Sequence, residues 1–377
     1  MICECTLTHD VYSLPAKKQT PNNEIMFVRC EMDEPVIHPS PKRTKLQATE
    51  RLLDTPSCDE TQTDTPPATD IHGRNATALA AKYKLPGDDH ASFDEPTHTY
   101  TVYGQRVQKS CTGAKADLFA KFDSMLTVRK YYFSWKKKPS HYLYPLIWSQ
   151  LDQGKDDSNA MDAIVSHWSS MGNEASTLGT LLHLYIELHY NGTPMTSIPP
   201  EIAHEVGGFN AFLASPFCTK HELQIIRTEL TVYYTRPRTQ DSGTNHAVMP
   251  VCAGQIDALA KGQIDGETVW FILDWKRSKH VLKPTEKAFN NQCGTHRITA
   301  HIPDTDYHKY SFQLSVYSVM LKDSHGLEAE DRLYLIRMHP DVEHFELTKC
   351  KDYRTEATQM LEMMGDNLEH AEHNTNI

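Results

Sequence analysis

The chain contains no apolar run long enough to span a bilayer, and its mean hydropathy is −0.54. A membrane partner is therefore not expected. Its nine cysteines show no CxxC spacing. An odd, scattered set in a 377-residue chain argues against a disulfide framework and for a reducing compartment. Only Cys350 follows Cys293, so no C-terminal three-cysteine cluster can be assembled for zinc or iron–sulfur. Basic residues are outnumbered, 38 against 49 acids, for a net charge of −11. That balance argues against a protein that coats nucleic acid. It leaves room for an enzyme with a local basic groove, because salt screens distant acids. The first residues, MICECTLTHDVYSLPAKK, resemble neither a secretory signal nor an Arg-rich transit segment. An intracellular location, nucleus or cytoplasm, is expected. No internal repeat is present.

Proline, threonine and charge dominate the first 75 residues, as in Asp54-Thr-Pro-Ser-Cys-Asp-Glu-Thr-Gln-Thr-Asp-Thr-Pro-Pro. Such a segment buries too little apolar surface to offset its ordering entropy, so residues 1–75 are read as a disordered tail. Within it, Pro41-Lys-Arg-Thr-Lys45 fits a nuclear-import signal or simply a solvated basic run. Residues 76–170 are expected to form a hairpin around His98–Val107, a helix from Ala114 and a further helical extension. The run Val128-Arg-Lys-Tyr-Tyr-Phe-Ser-Trp-Lys-Lys-Lys-Pro interleaves bases with aromatic rings. Lys136, Lys137 and Lys138 then become candidate phosphate contacts. The same composition also fits a helix with a buried aromatic face and a solvated lysine face.

Residues 171–372 carry the patterns of a core domain. Ala175–Tyr190 has helical periodicity, and a second helix is expected over Pro200–Leu213. Leu223–Tyr234, Val248–Leu259 and Glu267–Asp274 read as strands. Lys279–Asp306 is irregular. Tyr310–Leu321 is an apolar helix, Asp331–Met338 and Val342–Leu347 are strands, and Arg354–His370 is a last amphipathic helix.

Two of these strands hold the chemistry. Gly254-Gln-Ile-Asp257 and Ile272-Leu-Asp274-Trp-Lys276 place one acid each near the ends of adjacent strands. Two carboxylates joined by a hairpin suit a hard cation. The two-residue strand period puts Lys276 on the same face as Asp274. A cation beside an ammonium suits phosphodiester hydrolysis. In isolation, either acid would read as an ordinary turn residue. Upstream, His183 shares a helix face with Glu187, one turn on. The order His-Leu-Tyr-Ile-Glu is not the zinc-protease motif. Glu229, in Arg227-Thr-Glu-Leu-Thr-Val, reads either as an inward acid near the site or as an exposed strand carboxylate. Gln313 and Tyr317 lie four apart on one helix face.

In this order, Gly179-Thr-Leu-Leu-His183, Gly254-Gln-Ile-Asp257, Asp274-Trp-Lys276 and Gln313-Leu-Ser-Val-Tyr317 resemble the motifs of the PD-(D/E)xK nuclease superfamily. The similarity is to its RecB-like branch, which includes the mitochondrial genome-maintenance exonuclease and nuclease-like proteins of large DNA viruses. The resemblance spans roughly residues 95–350. It implies an α/β restriction-endonuclease-like fold, a mixed central sheet flanked by helices with a helical N-terminal extension. It also implies Mg²⁺- or Mn²⁺-dependent hydrolysis of DNA, of exonuclease or repair and recombination type. His183, Asp257, Asp274 and the Trp275 carbonyl would be the metal ligands, with Glu187 and Glu229 behind them. Lys276 would stabilise the reacting phosphate, Gln313 would lie near it and Tyr317 near the backbone, and Arg277 is a further candidate nucleic-acid contact. Two other readings stay open: an RNA-cleaving endonuclease of the same fold, and a catalytically inactive domain that binds DNA or a protein partner.

Overall fold

The computed structural model describes residues 78–238 and 247–375. The expected tail of residues 1–75 and the basic run Pro41–Lys45 lie outside them. The described chain is mixed α/β, with a five-stranded mixed sheet and a three-stranded antiparallel sheet flanked by helices. No described helix is long and apolar enough to cross a membrane.

The small sheet comes first: β1 (Ala91–Asp94), β2 (Thr99–Val102) and β3 (Gln105–Arg106), in that order. The hairpin expected at His98–Val107 is its second half, and its turn uses Tyr103 and Gly104, both at positive φ. A short helix, α1 (Cys111–Ala116), follows, capped by the Ser110 hydroxyl. The helix expected from Ala114 therefore starts and ends earlier. Three helices come next: α2 (Ser124–Lys136), α3 (Tyr144–Asp152) and α4 (Asp157–Tyr190).

α4 is the main departure from the sequence reading. It begins 18 residues before the Ala175 expected for it, capped by Asp156, and crosses the expected boundary at 170/171 without a break. Its early residues Ala160 and Ile164 pack with Val128, Tyr132, Leu143 and Ile147 in a small separate core. Its late residues Leu182, Tyr185 and Ile186 pack in the main domain. Residues 169–177 between them are exposed. A helix exposed all round in its middle acts as a strut between two packed ends, and no apolar stripe announces it.

After α5 (Ala203–Leu213) and α6 (Pro216–Lys220) the main sheet is laid down: β4 (Gln224–Pro237), β5 (Val248–Ile264) and β6 (Glu267–Lys276) as an antiparallel meander. The long segment after β6 has one turn of 3-10 helix, Phe289–Asn291, as its short regular element. α7 (Asp306–His325) then crosses over, so that β7 (Leu333–Arg337) runs parallel to β6. β8 (Glu346–Lys349) closes the order β4-β5-β6-β7-β8, and α8 (Arg354–Thr375) ends the chain.

Strand alternation sends apolar residues to both faces. Ile272, Leu333 and Leu335 pack with Phe312, Leu314 and Val316 of α7 and with Leu361 of α8. Phe271, Leu273, Trp275 and Ile336 pack with α4 and α5. The sheet is thus covered on both sides, which is why β6 reads as a near-continuous apolar run.

Candidate metal centre

β5 and β6 separate where the acids sit. Their shared register ends at Ala258–Leu273. Asp274, Trp275 and Lys276 continue in register with Leu335, Ile336 and Arg337 of β7. The Trp275 N–H donates to a side chain instead, Asp257 Oδ2, at 2.9 Å. The backbone that carries Asp274 and Lys276 therefore also fixes the Asp257 carboxylate.

On the other side of β5, Thr228 pairs with Ala258 and Leu230 with Ile256, which leaves Glu229 across from Asp257. Glu229 has φ 47°, a left-handed conformation that costs a residue with a side chain about 1–2 kcal/mol. Such outliers cluster at functional sites. This one sits where the Glu229 carboxylate meets His183.

His183, late in α4, bridges the two halves. Its Nε2–H donates to the Trp275 carbonyl at 2.9 Å. Nδ1 then faces Asp257 Oδ2 at 3.7 Å and Glu229 Oε1 at 3.8 Å. One donor atom from each of His183, Glu229 and Asp257 lies within 4.8 Å of the others. Burial opposes the imidazolium, but the carboxylates of Asp257 and Glu229 outweigh it and push His183 up to about 9.

Asp274 is 2% exposed. Burial, and then the neighbouring Asp257 carboxylate, push its carboxyl up, against the pull of Lys276. Its Oδ2 faces Lys276 Nζ at 2.5 Å but accepts no well-directed hydrogen bond. Lys276 Nζ also lies 3.9 Å from Asp257 Oδ2 and 5.0 Å from the centre of the Tyr310 ring. Burial disfavours its charge, yet Asp274 and Asp257 hold the ammonium firmly protonated.

These donors fit a hard divalent cation. Carboxylate oxygens dominate the set. The one imidazole is oriented through its second nitrogen, as metal-binding histidines are. Asp274 adds a buried oxygen short of a directed partner. Asp274 stands outside the three-residue group and next to Lys276, and the Trp275 carbonyl is engaged by His183. Glu229, expected at most behind the ligands, is within the group. Glu187 is buried on α4 and lies outside it.

The two motif glycines differ. A Cβ at Gly254 would meet Tyr317 Cε1 at 2.8 Å and Cys111 Cβ at 3.1 Å, whereas one at Gly179 would meet nothing within 4 Å. Packing requires the first and not the second.

Gln313 and Tyr317 do come together on α7. Gln313 Nε2 donates to the Tyr317 hydroxyl at 2.7 Å. Tyr317 is buried, with its phenol held well above its ordinary range by that burial. Arg277 behaves differently from its expectation as a nucleic-acid contact. Its Nε donates to Glu205 Oε1 of α5 at 2.7 Å, and Glu205 is fully buried. Leaving that acid unpaired would be costly, so Arg277 is committed inside the fold. Lys136 is likewise bound, 2.5 Å from Asp157 Oδ1, while Lys137 and Lys138 are exposed.

One residue escaped the sequence reading altogether. Lys115 of α1 donates to Gln313 Oε1 at 2.6 Å. Its contact spans 198 positions, and in sequence it stands in an unremarked Ala-Lys-Ala triplet.

No model of a known family matches the chain, and no curated protein matches it. A solved structure titled "Crystal structure of SSO0001" aligns over 64% of this chain and 82% of its own, at 13% identity and a TM-score of 0.22. At that TM-score the likeness carries no argument about fold or function.

Proposed function

We propose that the chain is a divalent-cation-dependent nuclease that hydrolyses DNA phosphodiester bonds, of exonuclease or repair and recombination type. In this reading the five-stranded sheet is the restriction-endonuclease-like core of the RecB-like PD-(D/E)xK branch. The observation that carries it is the convergence of His183, Glu229 and Asp257 donors within 4.8 Å, beside a Lys276 ammonium 2.5 Å from Asp274. Five residues from four separate elements, α4, β4, β5 and β6, gain no packing advantage from meeting at a strand separation. Burying their charges is costly unless a ligand completes the set.

His183, Glu229, Asp257 and Asp274 would hold Mg²⁺ or Mn²⁺. Such an ion supplies Lewis-acid stabilisation of phosphodiester charge and acidifies water. The chain's own groups do the rest. His183 presents Nδ1 because its Nε2–H is held by the Trp275 carbonyl. Asp257 is kept aimed by the Trp275 N–H. Lys276 places a fixed positive charge where the phosphate's negative charge grows, an arrangement worth most when preorganised in a water-poor site. Gln313 and Tyr317, bonded to each other on α7, lie within reach of the Asp257 and Asp274 charges.

Cleavage of labelled single-stranded DNA, double-stranded DNA and RNA with Mg²⁺ or Mn²⁺ tests the reading. The expected result is DNA cleavage that EDTA abolishes and Asp274→Asn removes while the fold survives. Cleavage of RNA alone would move the chain to an RNA-cleaving endonuclease. Binding without cleavage of any of the three would make it an inactive relative.

A further inference from the structure

Lys115 sits in the site without an acid of its own. Its ammonium donates to the neutral amide of Gln313 and lies 5.5 Å from the centre of the Tyr310 ring. The opposite situation holds for Lys276, which packs on that same ring and has Asp274 at 2.5 Å. Lys109, Lys136 and Lys349 also each pair with an aspartate. Among the described residues, no carboxylate makes an ion pair with Lys115.

The position is built. Cys111, one turn earlier on α1, packs against Gly254 and Tyr317. Just past α1, the Leu118 carbonyl accepts hydrogen bonds from the Thr295 N–H and the Thr299 hydroxyl. α1 is thereby clamped between β5, α7 and the segment that follows β6. Gln313 is held in turn by Tyr317, so its carbonyl oxygen is aimed at the ammonium. Burial first, and the nearby Lys276 charge after it, hold Lys115 down to about 8. A sequestered cation with a neutral partner is unfavourable unless an anion arrives to complete it.

We infer that Lys115 is a second phosphate-binding cation of this site, reaching a substrate phosphate oxygen that Lys276, tied to Asp274, does not serve. The inference rests on the nuclease reading and deepens it, since one cleft would then hold two successive backbone phosphates: one at the cation ligands and Lys276, the other at Lys115 and Gln313. Lys115 would fix the register of the strand, because a point charge on a clamped helix accepts a phosphate at one position.

The test uses the full chain and oligonucleotides in which single phosphates are replaced, one at a time, by uncharged methylphosphonates. Cleavage of the unmodified oligonucleotide in Mg²⁺ or Mn²⁺ checks the nuclease reading first. Affinity is then measured in Ca²⁺ for the wild type, Lys115→Met, Lys115→Gln and Lys115→Arg. Lys115→Met and Lys115→Gln should bind roughly 10- to 100-fold more weakly, the scale of one charge-assisted hydrogen bond. The wild type should show a loss of that size when one particular phosphate is neutralised. The two neutral variants should lose nothing further at that phosphate, and Lys115→Arg should keep the sensitivity. If either neutral variant is folded and keeps the wild-type methylphosphonate profile, Lys115 is only structural and the inference falls while the nuclease reading stands. If the wild type neither cleaves nor binds the oligonucleotide, both fall together.

Discussion

His183 serves two states of the protein. Without a cation, its protonated ring donates from both nitrogens, to the Trp275 carbonyl and toward the Asp257 and Glu229 carboxylates. Its pKa rises from 6.5 to about 9. A raised folded-state pKa stabilises the protein fully below the ordinary value and loses that contribution as pH climbs through the raised one. In EDTA, therefore, His183→Asn should be destabilised most at pH 6, and its deficit should shrink steadily toward pH 9.5. Denaturant unfolding at the two pH values reads this directly. An equal deficit at both would mean that His183 is held by packing and not by the two acids. A bound cation would demand the neutral ring, so the same residue makes cation uptake release a proton at neutral pH.

At the scale of elements, the decisive feature is the place where β5 lets go of β6. A ladder that continued past Ala258–Leu273 would bury Asp257 in ordinary strand pairing. Instead its carboxylate replaces the missing backbone acceptor for the Trp275 N–H. This assigns Asp257 a structural bond separate from its charge, and two variants divide them. Asp257→Asn keeps an acceptor oxygen, and Asp257→Ala removes it; both remove the charge. Since an unmet buried N–H costs about 1–3 kcal/mol, the Asn variant should be the more stable of the two by about that amount in EDTA. If the two proteins unfold at the same denaturant concentration, the bond does not hold the separation open. The strands and their acids were legible because β4 to β6 and α7 carry strong local patterns, periodicity and apolar runs that need no knowledge of partners. Glu229's left-handed backbone, the Lys115–Gln313 bond and the Arg277–Glu205 pair were not. Each depends on contacts between residues far apart in the chain, and nothing in the local sequence around Lys115 differs from a solvated helix.

Across the whole molecule, α4 joins two packed regions that the sequence separated at residue 170. Ile164 in the small helical core and His183 at the candidate metal centre lie 19 positions apart on one unbroken helix, about 28 Å along its axis at 1.5 Å per residue. The basic-aromatic helix α2 packs at the far end, with Tyr131 edge-on to Phe289 of the segment that follows β6. Taken with the nuclease reading, this makes α2 a remote anchor for the nucleic acid and not a part of the chemistry. The lysines are also unequal, since Lys136 is neutralised by Asp157 and Lys137 is exposed. Changing Lys137 to Gln should flatten the log–log salt dependence of DNA binding by about one unit, near 0.9 for each phosphate released. Adding Lys136→Gln should change that slope little and lower stability instead, by freeing Asp157. Turnover at saturating DNA should survive in both variants. The span of about 28 Å corresponds to roughly 8 base-pair steps at 3.4 Å each, so a duplex too short to reach α2 should bind both variants and the wild type alike. Equal salt slopes for all three proteins on long DNA would remove α2 from the path and leave its aromatic rings as packing for α3 and α4.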